Sequence, residues 1–364
     1  MKKYRFWFNL AVGVAVAAFF LWLFFRRVED WGEIAHALRT AKYIYLIPAI
    51  VFGLITYIFR AFRWYYLLYA IKRIRFFGLL SPILIGFMGN SILPARAGEF
   101  MRAYLLSEKE GVKLTASLAT LVVDRMFDTF VLLLLIAGVL LFYPLDERVL
   151  MSETNYSLAQ VRFFLGVIVT SIFAAMVAFT ALLYFQKEYA ARILERMVFF
   201  LPHRFRERVV SLFLTFTEGL HIFKNGRHVL LAVLITIVQW VFNALLLYSL
   251  FFAFDLQDGL SLWSSAAVLA SAAVGVAIPT PGYAGPFHFF VQIGLQVCDS
   301  TISDAVAKVY ALVAHAVTFF PIVIIGIALA VREGVSLSQI ERTSETIKET
   351  VKEESVDSAE SGNP

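Results

Sequence analysis

Apolar segments long enough to cross a lipid bilayer constrain the fold of this chain more than any other feature. The segments of spanning length are 6–25, 43–69, 114–142, 162–185, 228–253 and 305–331. A helix needs about 20 apolar residues to cross the hydrocarbon of a bilayer. Only 16% of the 364 residues are charged, against about 25% in soluble domains. The sequence therefore predicts an all-α, polytopic membrane protein with about six full transmembrane helices.

The N-terminus and the charge balance exclude some other classes of protein. The first apolar segment is longer than that of a signal peptide and ends in Arg26 and Arg27, which predicts a retained helix. The net charge is +5, but basic residues cluster in short loops, as membrane topology requires, so no nucleic-acid partner is expected. Cys298 is the single cysteine, so no internal disulfide forms, and we expect no metal and no cofactor.

Loop charges predict the orientation in the membrane. Residues 186–227 carry eight Lys/Arg and four Asp/Glu, so this loop is expected in the cytoplasm together with both termini. Residues 144–161 carry one Arg and three acids, and residues 254–261 carry two acids and no base. These two loops are expected outside a prokaryotic cytoplasmic membrane.

This orientation forces two segments to enter the membrane and return. Segment 77–112 starts and finishes on the cytoplasmic side, whereas segment 262–303 starts and finishes outside. Each contains a backbone break rich in proline and glycine. The residues of the breaks are Pro94, Gly98, Pro279, Pro281, Gly282 and Gly285. We predict two re-entrant hairpins in an inverted repeat, a pattern that places a site near the membrane midplane.

Residues 1–332 are predicted to form a single transmembrane domain. The first repeat covers about 43–142 and the second about 228–331. The alternative is two unrelated breaks in apolar helices. Residues 29–42 are expected as an amphipathic segment on the outer interface, and residues 187–227 as a cytoplasmic amphipathic segment broken at Pro202. Residues 333–364 form a polar, acidic tail that we expect to be partly disordered in the cytoplasm.

The run PARAGEFMR is the strongest candidate for a binding site. Arg96, Glu99 and Arg102 recur at intervals of three, directly around the break at Pro94 and Gly98. A helix that starts there presents free N–H groups and guanidinium groups, both suited to a phosphate. The alternative is a charged cytoplasmic loop.

A second group of charges lies inside an apolar span. Asp124, Arg125 and Asp128 are ten to fifteen residues into segment 114–142. A charge at that depth costs at least about 2.5 kcal/mol unless it is paired. An internal ion pair with Glu99 or Arg102 and a substrate or proton path both remain open.

Two histidines occupy the second half of the chain. His288 follows the PTPGYAG break, and His315 lies inside the last span. They are candidates for head-group contacts or for proton transfer, and the alternative is a structural role in the core. Arg60, Arg63 and Trp64 end the span 43–69 and are interpreted as a basic and aromatic belt at the interface.

Several of these motifs together resemble a known family. They are FRAFRW at 59–64, GNSILPARAGEFMR at 89–102, DRMFD at 124–128, IPTPGYAGPFH at 278–288 and HAVTFFPIVIIG at 315–326. With them the chain resembles the flippase-like family, the transmembrane region of lysylphosphatidylglycerol synthases, over about residues 5–332. Asp124 and His288 stand where the family often has Glu. No aminoacyltransferase domain follows residue 332, so we do not expect synthesis of lysyl-lipid.

The resemblance implies translocation of an aminoacyl-phospholipid or a polyprenyl-phosphate sugar. The expected partner is a membrane lipid with an anionic or phosphate head group, and a lipid-synthesis enzyme or a second copy of the chain is a further candidate partner. The sequence contains no P-loop, HExxH or GxSxG motif, and we expect no enzyme activity. The alternative function is an integral-membrane enzyme or accessory subunit of a lipid-modification or lipid-linked glycan pathway.

Overall fold

The computed structural model of the chain is built from helices. It describes residues 2–26, 28, 30–69, 71–93, 97–148, 151, 156–185, 192–193, 195–197 and 226–335. The helices are α1 (Lys2–Phe25), α2 (Trp31–Thr40), α3 (Leu46–Leu68), α4 (Phe76–Ile92), α5 (Ala97–Glu110), α6 (Leu114–Phe142), α7 (Leu158–Phe185), α8 (Gly226–Ala253), α9 (Leu262–Ala277), α10 (Pro286–Cys298) and α11 (Asp304–Arg332). Short 3-10 turns at Tyr43–Tyr45 and Pro281–Tyr283 precede α3 and α10.

The predicted all-α membrane architecture is confirmed. Five described helical segments are long and apolar enough to cross a bilayer. They are Tyr43–Leu68, Leu114–Phe142, Leu158–Ala178, Gly226–Ala253 and Asp304–Arg332. The remaining predicted segment, 6–25, lies in α1. The apolar part of α1, Ala11–Phe25, is shorter than these five segments. Apolar helices of only 16 and 17 residues, α9 and α4, occupy the two segments for which the sequence predicts hairpins.

Two sets of four helices follow the same order of lengths. In α3–α6 and in α8–α11, two short helices stand between two long ones. Their contacts also come in matched couples: α4 packs on α11 as α9 packs on α6, and α3 packs on α11 as α8 packs on α6. The most extensive contact joins α3 to α8, the first helices of the two sets. This packing supports the predicted repeat; the inverted orientation of its halves and the entry of the hairpins into lipid stay predictions.

The two hairpins open at opposite ends of the molecule. Lys72 donates a hydrogen bond to the backbone oxygen of Glu110, which brings the start of α4 beside the end of α5. We call this the basic end; it comprises 71–75, 110–113, 226–227 and 332–335. Tyr143 donates to Ser264 Oγ at 2.9 Å, and the Asp146 N–H donates to the Val297 carbonyl at 2.9 Å. We call this second end the acidic end; it comprises 41–45, 143–148, 254–261 and 299–303.

The amphipathic segment before α3 forms α2 at the acidic end. Asp30 caps α2 by accepting a hydrogen bond from the Gly32 N–H, and the apolar side chains of Ile34 and Ala37 are buried. Lys42 follows the helix and pairs with Asp255, which raises the pKa of the Lys42 ammonium through a hydrogen bond. Most of the predicted amphipathic segment 187–227, including Pro202, and the tail after residue 335 lie outside the described residues.

Candidate functional site

A cluster of buried charges joins helices from both halves of the chain, and Arg63 of α3 lies at its centre. The Arg63 side chain is completely buried. Its Nε donates to Asp124 Oδ1 at 2.6 Å, and its NH1 donates to Asp128 Oδ1 at 2.7 Å. NH1 also donates to Thr236 Oγ1 on α8 at 3.0 Å. Asp128 lies 14 residues into the 29-residue α6, so the cluster sits near the middle of a helix about 43 Å long.

Arg102 brings α5 into the same cluster. Its NH1 donates to Asp124 Oδ2 at 2.9 Å, and its guanidinium carbon lies 3.9 Å from the ring centroid of Trp64. Trp64 is itself fixed by a hydrogen bond of 3.0 Å from Nε1 to Thr120 Oγ1. A guanidinium over an indole face gains a cation–π attraction that strengthens when water is excluded. Arg102 is therefore held by one carboxylate and one aromatic ring.

Two further arginines surround Asp128. Arg60 donates from NH1 to Asp128 Oδ2 at 3.1 Å and lies 4.6 Å from the Phe87 ring centroid. Arg125 NH1 lies 3.4 Å from the same oxygen, and Arg125 Nε lies 3.5 Å from Glu99 Oε1. The side chains of Arg125 and Glu99 are 31% and 28% exposed, so this pair forms the accessible rim of a cluster that is otherwise buried.

Positive charge exceeds negative charge among the described residues of the cluster. Four arginines, at 60, 63, 102 and 125, face three carboxylates, at 99, 124 and 128. Several buried guanidinium nitrogens have no hydrogen-bond partner in the described part of the chain. They are Arg60 Nε, Arg63 NH2, and Arg102 Nε and NH2. An unsatisfied buried donor costs about 1–3 kcal/mol, and more when it is charged. The arrangement is thus chemically suited to an added anion.

The first backbone break lies next to this cluster because α4 and α5 pack without side chains between them. A Cβ atom on Gly98 would lie 1.9 Å from the Gly86 carbonyl oxygen, so only glycine fits there. Asn90 of α4 accepts a hydrogen bond from the Glu99 N–H at 3.1 Å and satisfies one free donor in the first turn of α5. Pro94 and Arg96, both predicted to belong to the site, lie outside the described residues.

The second break holds the two predicted histidines together. The Gly285 N–H donates to His288 Nδ1 at 3.2 Å, and His315 Nε2 lies 2.7 Å from the Gly282 carbonyl oxygen. Because a carbonyl only accepts, His315 Nε2 carries the proton. The two imidazole centroids are 4.5 Å apart. Gly285 has φ 88° and abuts the Ala17 carbonyl of α1, which explains a glycine at this position.

The break at Pro279 and Pro281, with the histidine pair, lies beside the end of α4. A Cβ on Gly282 would lie 3.6 Å from the Ser91 carbonyl oxygen, near the end of α4. One turn earlier on α4, Phe87 contacts the guanidinium groups of Arg60 and Arg125. Positions 87 and 91 lie one turn apart on the same side of α4, so the second break and the charge cluster lie about one helical turn apart along that side. Among the described residues, no hydrogen bond or ion pair joins the two groups directly.

The interpretation of Arg60, Arg63 and Trp64 as an interfacial belt is wrong. Arg63 and Trp64 are completely buried, and both arginines bind Asp128. The signal was present in the sequence: two deep carboxylates require cationic partners, and the i, i+3 spacing of Arg60 and Arg63 places both arginines on one face of α3. Thr236 and Gln239 of α8 were also missed, since an isolated Thr or Gln in an apolar span carries no distinctive pattern. Gln239 donates to Asp128 Oδ1 at 3.3 Å.

The comparisons with known proteins agree with this architecture. The profile of the family described as "Lysylphosphatidylglycerol synthase TM region" matches residues 10–326. A "UPF0104 membrane protein" from Methanothermobacter thermautotrophicus is 24% identical over 329 residues, which cover 85% of this chain and 91% of that protein. The family match extends over both hairpins and all the charged residues described above.

Proposed function

Since the chain belongs to the family of the lysylphosphatidylglycerol synthase transmembrane region, we propose that it moves the head group of a phosphate-bearing lipid across the membrane. The substrate class is an aminoacyl-phospholipid or a polyprenyl-phosphate sugar. The excess of arginine inside the bundle is the observation that carries the proposal, because orphaned guanidinium donors at membrane depth need an anion.

The proposed path starts at the accessible rim of the charge cluster. Arg125 and Glu99 provide the entrance, and Arg102 and Arg60 lie behind them with unpartnered nitrogens. A phosphate takes up such donors in bidentate fashion, which Lys cannot reproduce. Arg96, three residues before Glu99 in the sequence, stays a predicted head-group contact and lies outside the described residues.

The path continues past the end of α4 to the histidine pair. The last turn of α4, at Ser91, approaches Gly282 of the second break, so its end carbonyl groups and the backbone of that break face one region. Such groups survive at membrane depth only where protein or a hydrated cavity satisfies them. The same polar surroundings lower the cost of carrying a head group while the acyl chains stay in lipid.

Reconstituted vesicles test the proposal. We expect vesicles that contain the purified protein and NBD-labelled phosphatidylglycerol to lose inner-leaflet as well as outer-leaflet fluorescence when dithionite is added. Arg102→Gln should slow this movement about tenfold or more, because a hydrogen bond to a charged group contributes about 1.5–3 kcal/mol. Arg148→Gln is the matched control, since Arg148 is 87% exposed at the acidic end.

Two results would contradict the proposal. One is a wild-type protein that protects the inner-leaflet probe as completely as empty vesicles do. The other is an Arg102→Gln variant that folds normally and moves the lipid at the wild-type rate, which would assign the cluster to structure alone.

A further inference from the structure

A polar cavity lies at the acidic end, away from the charge cluster. It has a volume of about 340 Å³ and opens between α1, α2, α10 and α11. Cavities of about 300–1,000 Å³ with a few convergent polar groups are typical of small-molecule sites. The polar lining residues are Arg26, Asp30, Glu33, Gln292, Gln296, Asp304 and Lys308.

The floor of the cavity is a built polar network. Lys308 is only 1% exposed and pairs with Asp304 one turn earlier on α11. Gln292 of α10 donates to the other oxygen of Asp304 at 2.6 Å. The Lys308 ammonium also lies 5.9 Å from the Phe24 ring centroid on α1. Three helices thus hold a lysine in place inside the protein, and its charge is already compensated by Asp304.

The mouth of the cavity carries polar groups that lack such hydrogen-bond and ion-pair partners among the described residues. Neither the carboxylate of Glu33 nor the amide of Gln296 has a hydrogen-bond or ion-pair partner among the described residues. Asp30 accepts the capping hydrogen bond of α2 through one oxygen at 2.6 Å. Arg26 lies over the Trp22 ring, 5.4 Å from its centroid. Tryptophan side chains favour the membrane–water interface, where lipid phosphates lie.

The charges of the lining favour a cation beside a phosphate. Once Lys308 and Asp304 cancel, two carboxylates, Asp30 and Glu33, face one guanidinium, Arg26. The described lining residues therefore carry a net charge of −1, opposite in sign to that of the described charge cluster. An ammonium group suits the carboxylates, and a phosphate at the interface suits Arg26. A head group with a primary amine beyond its phosphate satisfies both.

Phe24 connects this cavity to the second break. Its ring packs on His288, 5.6 Å between centroids, while Lys308 lies over the same ring. We propose that the cavity at the acidic end is a second lipid site, which binds a head group bearing a primary amine. That this cavity is the last binding site on a transfer path rests on the proposed function. Binding of an amine-bearing head group in the cavity does not rest on it.

Binding measurements on the purified full chain in detergent test the proposal without transport. The probes are dioctanoyl phosphatidylethanolamine and its N-acetyl derivative, which lacks the positive charge. We expect the wild-type protein to prefer the free amine, and Glu33→Gln to reduce that preference about two- to fivefold, the effect of one accessible ion pair. Gln296→Ala should weaken binding of both probes. Asp258→Asn removes an exposed carboxylate of the same end outside the cavity, and it should preserve the preference.

The outcomes separate this proposal from the proposed function. Equal affinity for both probes, or an equal loss of preference in Asp258→Asn and Glu33→Gln, overturns the amine site and leaves the vesicle assay unaffected. Amine-selective binding that depends on Glu33, in a protein that moves no lipid in vesicles, upholds the site and removes only its place on a path.

Discussion

The arginines of the charge cluster differ in their exposure, in the number of carboxylates that they bind and in the number of guanidinium nitrogens left without a partner. Arg63 binds both carboxylates of α6 and is completely buried, whereas Arg125 reaches the surface. Removing one partner of a buried pair costs about 3–5 kcal/mol because the other charge stays buried without compensation. Arg63, which binds two carboxylates, is therefore assigned to the fold of the cluster. Arg102 is equally buried but binds one carboxylate and leaves two nitrogens without a partner among the described residues, and for this reason the proposed function assigns it to the ligand.

The role of Arg63 leads to a stability prediction. We expect Arg63→Ala to lower the folded yield and the midpoint of thermal unfolding sharply, since Asp124 loses a hydrogen bond of 2.6 Å and Asp128 loses one of 2.7 Å. Size-exclusion chromatography of heated, detergent-solubilised protein measures this loss. Arg148→Ala should leave the midpoint unchanged, because Arg148 is 87% exposed. An Arg63→Ala protein as stable as that control would show that the ion pairs do not hold the bundle together.

The buried carboxylates of the site can be predicted from the sequence, but not all of the arginines that pair with them. The depth of Asp124, Arg125 and Asp128 in an apolar span was enough to identify them, because unpaired charge is costly there. Arg63 lies in the last turns of α3, which ends at Leu68, so an interfacial position was an equally natural interpretation. Only the packing of α3 against α6 and α8 decides where its side chain points.

At the scale of elements, the α4–α5 hairpin depends on contact between glycines. Gly98 lies against Gly86 and Gly89, and its missing Cβ lets the two helices touch backbone to backbone. Close packing through small residues is a general device of membrane helices. It positions Glu99 and Arg102 of α5 in front of α6.

The glycine contact gives a prediction with an internal control. Gly98→Ala should destabilise the protein by about 1–3 kcal/mol or more, because a methyl group 1.9 Å from a carbonyl oxygen forces the helices apart. It should also reduce lipid movement by displacing Arg102. Gly166→Ala in α7 meets no atom within 4 Å and replaces a poor helix former, so it should be neutral or stabilising. Thermal unfolding of both variants in one detergent makes the comparison; equal midpoints would contradict the close approach.

The two hairpins could be predicted from loop charges and backbone breaks, whereas their packing against each other could not. Opposite loop charges and the Pro/Gly breaks were sufficient to predict two hairpins, and the helices end within a few residues of the expected breaks. The structure adds that the end of α4, at Ser91, lies near Gly282 of the second break. The distance between the arginines and the histidines depends on how the helices pack, which no local pattern in the sequence encodes.

At the scale of the whole molecule, the two ends differ in charge. The basic end contains Lys72, Arg73 and Arg75, while Asp255, Asp258 and Asp299 lie at the acidic end. The positive-inside rule then predicts that the acidic end faces outward.

Cysteine labelling in intact cells tests this orientation. In a Cys298→Ser background, which removes the single native thiol, a cysteine at Asp258 should react with an impermeant maleimide. A cysteine at Arg73 should react only after the membrane is permeabilised. Labelling of Arg73→Cys from outside in intact cells would reverse the predicted orientation.

The partners in the charge cluster are far apart in the sequence, and this separation has a consequence for membrane insertion during synthesis. Arg63 is synthesised 61 residues before Asp124 and 173 residues before Thr236. When α3 leaves the translocation machinery, its arginines have no carboxylate with which to pair, and the cost of placing them in lipid is highest. We expect the arginine-bearing part of α3 to stay at the machinery or at the interface until α6 is made. Membrane insertion of this chain is then expected to depend on a later helix that supplies the partners of an earlier one.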